Sequence, residues 1–192
     1  MAEENSSIPV AQPLTSGVLP AWLALACHAI RFAALAWIAW AAYSVIWVWG
    51  DPARVARIYG NLLKLDLAGY SSTQHVASFA VLLADLAVSG LVAALVWRLF
   101  GHFLAGRILE VATVDDMRCL GWVGLGALVV DIAARPVVAA ILSAHVEGAH
   151  SRFDIWAQPN DLLHIMMALF IVVVASVLRT GVAIADEHRQ IV

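Results

Sequence analysis

The sequence predicts an all-α fold, an integral membrane four-helix bundle with a short amphipathic helix on its outer surface. Three observations carry this expectation. Hydrophobic residues make up 62% of the 192-residue chain and charged residues 13%, with a mean hydropathy of +0.86, whereas a soluble domain is roughly half apolar and a quarter charged. Four stretches of the chain reach the roughly 20 mostly apolar residues needed to cross about 30 Å of hydrocarbon. No period-two alternation competes with them, and a helix satisfies its own backbone groups in lipid.

Residues 1–20 read as a polar, acidic tail carrying Glu3 and Glu4. They lack the basic stretch and small-residue cleavage site of a secretory signal, so the first span is expected to be retained. The membrane domain occupies 21–180. Its first span is 21–49, stopped by Gly50-Asp51-Pro52, and the others are 76–97, 120–142 and 162–178. Between the first two, Val55, Ile58, Tyr59, Leu62 and Leu63 recur at helical spacing with Arg54, Arg57, Asn61 and Lys64 mostly between them. That pattern predicts an amphipathic helix over 52–65 lying on the outer membrane surface. Thr113-Val114-Asp115-Asp116 has capping-box spacing and marks the start of the third helix. Residues 181–192 form a short polar tail.

Arg31, Arg98, Arg107, Arg118, Arg179 and Arg189 flank the spans on the side of the termini, and Arg54, Arg57, Lys64 and Arg152 on the other. The positive-inside bias puts both termini in the cytoplasm of a bacterium, with the bundle in its inner membrane. Trp49 and Trp156 stand where interfacial anchors would, and Trp37, Trp40 and Trp47 form a packing or lipid-facing stripe. A net charge of -3 with scattered signs offers no basic face for nucleic acid, so membrane lipid and a protein partner are the expected contacts. Cys27 and Cys119 read as small core residues without a disulfide.

Intramembrane charge is the first place to look for chemistry, because each ionised group at mid-bilayer costs on the order of 2.5 to 3.5 kcal/mol. Asp85, Asp131 and Arg135 are the residues concerned. Asp131 and Arg135 are four apart on one helix and can pair, while Asp85 falls at a depth between them. They form either a proton or ion relay or a structural cluster locking two helices together. Histidine is the second place. His75 and His164 open two helices at the outer surface, and the loop before the last span adds His145 and His150 near Glu147, Asp154 and Asp161. Imidazoles with carboxylates suit a divalent metal, and facing imidazoles suit haem b, although no cofactor at all is the leading expectation. His28 and His102 form a further candidate haem pair. Ser44, Ser78, Ser89 and Ser176 are expected to bond back to their own helices, and no catalytic signature occurs. Gly121, Gly124 and Gly126 allow a neighbouring helix to come close.

Two patches carry a resemblance to a family. Gly106-Arg107-Ile108-Leu109 through Val114-Asp115-Asp116-Met117-Arg118 to Gly121-Trp122 is one, and Val177-Leu178-Arg179-Thr180-Gly181 to Ala185-Asp186-Glu187, ending Ile191-Val192, is the other. They resemble the inner loop and the closing segment of a family of small bacterial four-span membrane proteins, the domain of unknown function numbered twenty-nine seventy-five. His188-Arg189-Gln190 departs from the acidic or amide residues expected there. The resemblance implies a fold and no catalytic residues. Some members are encoded beside small helix-turn-helix regulators, which implies a membrane partner for a cytoplasmic regulator. The leading expectation is therefore a non-enzymatic membrane protein that works by protein–protein interaction, with such a regulator or as an accessory subunit of a larger membrane complex. Asp115, Asp116, Arg118, Asp186 and Glu187 are its candidate contact residues. A haem- or metal-binding redox protein and a small ion-coupled transporter are the alternatives.

Overall fold

The computed structural model describes residues 20–67, 69–107, 110–146 and 159–190, with the side chains of 160 and 182–190 excepted. It is all-helical over these residues. The helices are α1 (Ala21–Trp49), α2 (Pro52–Leu63), α3 (Ser72–Leu104), α4 (Val111–Ser143) and α5 (Pro159–Gln190). Four of them, all but α2, are long and apolar enough to cross a membrane, and the chain is a multi-pass membrane protein. The second, third and fourth spans outrun the stretches that hydropathy predicts. Polar residues such as Gln74, Arg98 and Thr113 continue each helix past the lipid-buried length, because helical hydrogen bonding does not stop where hydrocarbon does.

The helix ends follow local chemistry. Asp51 caps α2 by accepting from the Ala53 amide at 3.0 Å, and Pro52 stands at its first position, where no amide hydrogen is needed. Lys64, at φ 53, ends the same helix in the left-handed region. The capping box lies at α3. The Gln74 amide donates to the Ser71 hydroxyl at 3.2 Å, and the Ser71 amide donates to the Gln74 side chain at 2.7 Å. The box expected at Thr113 is absent, because α4 starts earlier, with Glu110 as its cap. Within the first turn the Thr113 hydroxyl instead donates to the Arg107 carbonyl at 2.6 Å. Gly106, at φ 74, makes the turn from α3 toward α4.

The packing order is α1–α3–α4–α5, with α2 on the end of α1. The central pair is α3 and α4, and α1 and α5 flank it. Among the described residues α1 and α5 share no packed interface, so the bundle has one open seam. The apolar core is concentrated at the end away from the termini, where Trp49, Val55, Leu67, Val138 and Leu142 are buried together. Trp49 is thus a core residue, 5% exposed, rather than the interfacial anchor expected from its place in sequence. Its ring packs against Tyr59, His75 and Phe79. Trp37, Trp40 and Trp47 are exposed on α1, as a lipid-facing stripe requires. Cys27 is buried, but Cys119 faces outward and both are free thiols. Gly121 admits α5 closely, since a β-carbon there would lie 3.2 Å from the Val172 amide nitrogen and closer still to its side chain. Gly124 and Gly126 have open space before them.

Candidate functional site

Arg135 organises the polar centre of the bundle. Its guanidinium donates to both oxygens of Asp161 on α5, at 2.8 and 3.0 Å, and to Asp131 one turn back on α4. The i, i+4 pair expected from sequence is therefore present. The stronger partner is a carboxylate that sequence spacing left with the outer histidines. Asp161 is 4% exposed, and the two-pronged contact matches the fixed fork of the guanidinium. Asp85 on α3 faces Asp131 and Arg135 within electrostatic range. One of its carboxylate oxygens is buried and accepts no hydrogen bond among the described residues. Three carboxylates thus surround one arginine.

Two cavities meet at this centre. One, of about 450 Å³, lies among α1, α3, α4 and α5 and is walled by Trp37, Leu86, Ser89, Gly124, Ala168 and His164 along with Asp85 and Asp131. The other, of about 390 Å³, lies beneath α2, between Trp49, Tyr59, Leu63 and Val138, and reaches Asp85, Asp131 and Arg135. Asp85 and Asp131 belong to both walls. The surroundings are otherwise apolar. A low-dielectric cavity strengthens any interaction made with these carboxylates.

The outer histidines do not converge with one another. His75 is fully engaged: its Nε2 bonds the Trp49 carbonyl at 3.0 Å, and its Nδ1 lies 2.9 Å from the Tyr70 hydroxyl. Tyr70 in turn reaches the Pro52 carbonyl at 3.1 Å. Both ring nitrogens thus serve to tie the end of α1, the loop before α3 and α3 itself together, which leaves none for a metal or haem iron. His164 is exposed on α5 and lines the larger cavity. His145 is exposed, while His150, Glu147, Asp154 and Trp156 lie outside the described residues. Among the described residues no three His, Cys, Asp or Glu side chains are grouped to hold a metal ion.

A second charged cluster sits at the terminal end. Asp116, 7% exposed, accepts from Arg98 Nε at 2.9 Å and from a second guanidinium nitrogen, and lies 3.2 Å from His102 Nδ1 without hydrogen-bond geometry. Its carboxylate is spent inside the protein. Asp115 stands 3.8 Å from Arg179 at the surface, and Arg118 is exposed. Asp186 and Glu187 lie on the α5 backbone, in a segment whose side chains are not described. His28 is exposed on α1. Ser44 and Ser176 donate to carbonyls four residues back, at 2.8 and 2.7 Å, as expected, while the buried Ser78 hydroxyl, against expectation, has no partner among the described residues.

No protein-family model, no curated protein and no solved structure matches the chain. The assignment of function therefore rests on the geometry.

Proposed function

We propose that the protein is a small ion-coupled carrier of a bacterial inner membrane, with both termini cytoplasmic and Asp85 as the group that exchanges a proton. The observation that carries this reading is the meeting of two cavities at Asp85 and Asp131. A carboxylate whose oxygen lacks a hydrogen-bond donor, placed between two spaces, can take up a proton or cation from one and release it to the other. Arg135 is held by Asp161 and Asp131, so its charge is balanced without Asp85. His164, on the wall of the larger cavity, is the imidazole that would pass protons onward.

Reconstitution into vesicles holding a trapped pH dye tests this directly. With an imposed membrane potential the native protein should acidify the lumen, and Asp85→Asn should abolish the flux while eluting as the same monodisperse, helical species. Equal flux from both, or none from the native protein, would sink the carrier reading.

A second reading keeps the protein as the membrane partner of a regulator or larger complex. The open seam between α1 and α5 supports it, since a helix from another chain would cover the exposed Trp37 ring on the wall there. Gentle solubilisation should then recover a stoichiometric partner, lost when a bulky residue is placed on the seam.

A further inference from the structure

We propose that Arg31, assisted by His28, binds the phosphate of an anionic phospholipid in the leaflet at the terminal end of the bundle. Arg31 lies ten residues into α1, about 15 Å along its axis, and the whole helix is about 43 Å long against a hydrocarbon core of about 30 Å. Its side chain thus starts inside the leaflet, within snorkelling reach of the headgroups. Of the other arginines on the spanning helices, Arg98, Arg135 and Arg179 each have a carboxylate within salt-bridge distance. Arg31 has none among the described residues. Its guanidinium carbon sits 3.8 Å from the centroid of the Trp97 ring, which Phe32 holds edge-on at 6.0 Å. Its Nε is buried with no hydrogen-bond partner among the described residues.

These facts specify the missing ligand. The indole face attracts the cation electrostatically but offers no lone pair to the in-plane N–H groups. Stacking therefore fixes the plane of the guanidinium while leaving its fork of donors unfilled. A half-buried cation with unfilled donors calls for an anion carrying several oxygens, and phosphate fits the fork. His28 stands three residues toward the terminal end and is exposed, on the same face of α1, where it can donate to the same group. The depth selects a lipid over a free ion, because a side chain rooted inside the leaflet meets headgroups before bulk water. Among the described residues Arg118 also has no carboxylate within salt-bridge distance, but it is exposed on α4 with no ring beneath it and serves as the control.

The test is native mass spectrometry of the full chain in neutral detergent, titrated separately with phosphatidylglycerol, phosphatidylcholine and sodium phosphate. The native protein should retain phosphatidylglycerol over phosphatidylcholine by about fivefold, because the choline cation already neutralises the phosphate that phosphatidylglycerol leaves to the guanidinium. Arg31→Gln should erase that preference and Arg118→Gln should leave it intact. Where Arg31→Gln does not yield monodisperse helical protein, Arg31→Lys, which keeps the charge but loses the fork, has to weaken the preference by itself. Undiminished retention in the Arg31 variant would overturn the assignment. Equal binding of sodium phosphate would overturn the lipid as its source, and a co-purified protein lost with Arg31→Gln would put a partner's carboxylate in its place.

Discussion

The two charged clusters use the same two-pronged arginine–carboxylate contact to different ends. At the terminal end, Arg98 and Asp116 clamp α3 to α4, one charge answers one charge, and the two described cavities that reach a charged centre lie elsewhere. Deeper in the bundle, Arg135 clamps α4 to α5 through Asp161, but Asp131 and Asp85 add two further carboxylates beside two cavities. The comparison teaches that the geometry of an ion pair does not by itself indicate function. What distinguishes the clusters is the surplus of carboxylate and the space beside it.

The comparison breaks most visibly at Arg135. Arg135→Leu strands Asp161, 6% exposed at its side chain, beside Asp131, and should cost about 3 kcal/mol, the low end for a broken buried pair because Asp131 is partly open. Loss of the folded species on heating, followed by size-exclusion chromatography, measures it. Asp116→Asn should cost about 1 kcal/mol, since the Arg98 side chain is 61% exposed and water replaces the lost charge. A larger loss at Asp116 than at Arg135 would reverse the ranking of the two clusters.

Helix proximity sharpens the same contrast. Gly121→Ala must push α5 away at the Val172 backbone and should destabilise by about 1 to 2 kcal/mol through overpacking. Gly124→Ala, with open space before it, should be neutral or slightly stabilising. Thermal midpoints of the two variants decide this. The smallest effect is expected at Tyr59 on α2, whose hydroxyl is pushed above the ordinary value of 10.0 by burial. A raised value in the folded state means a stabilising contribution that is complete below pH 10.0 and fades as pH climbs through the folded value. Tyrosinate absorbance should develop late in the native protein, and Tyr59→Phe should remove part of that late component.

Much of this was legible in the chain because the signals are local. Hydropathy gave four spans, helical spacing gave α2, and Asp131 and Arg135 announced themselves by being four apart. What escaped was tertiary. Asp161 belongs to another helix, 26 residues from Arg135, and no periodicity relates them. Trp49 sits at a helix end, where an interfacial anchor and a core residue look alike until α2 folds over it. Ser71 through Gln74 carried a capping pattern as good as the one at Thr113, and the true start of α4 decided between them. The unfilled donor of Arg31 likewise became visible only once Trp97 was placed beneath it.

Gln74 carries one last consequence. Its side-chain oxygen closes the box at the start of α3 while its nitrogen donates to the Ile141 carbonyl of α4 at 2.8 Å, a group that the last turn of that helix leaves without an internal donor. One amide therefore completes two helix ends at once, and with Arg98 and Asp116 near the connecting turn it fastens α3 and α4 at both extremities. The central pair is thereby held in a single register, and α1 packs on one of its flanks and α5 on the other.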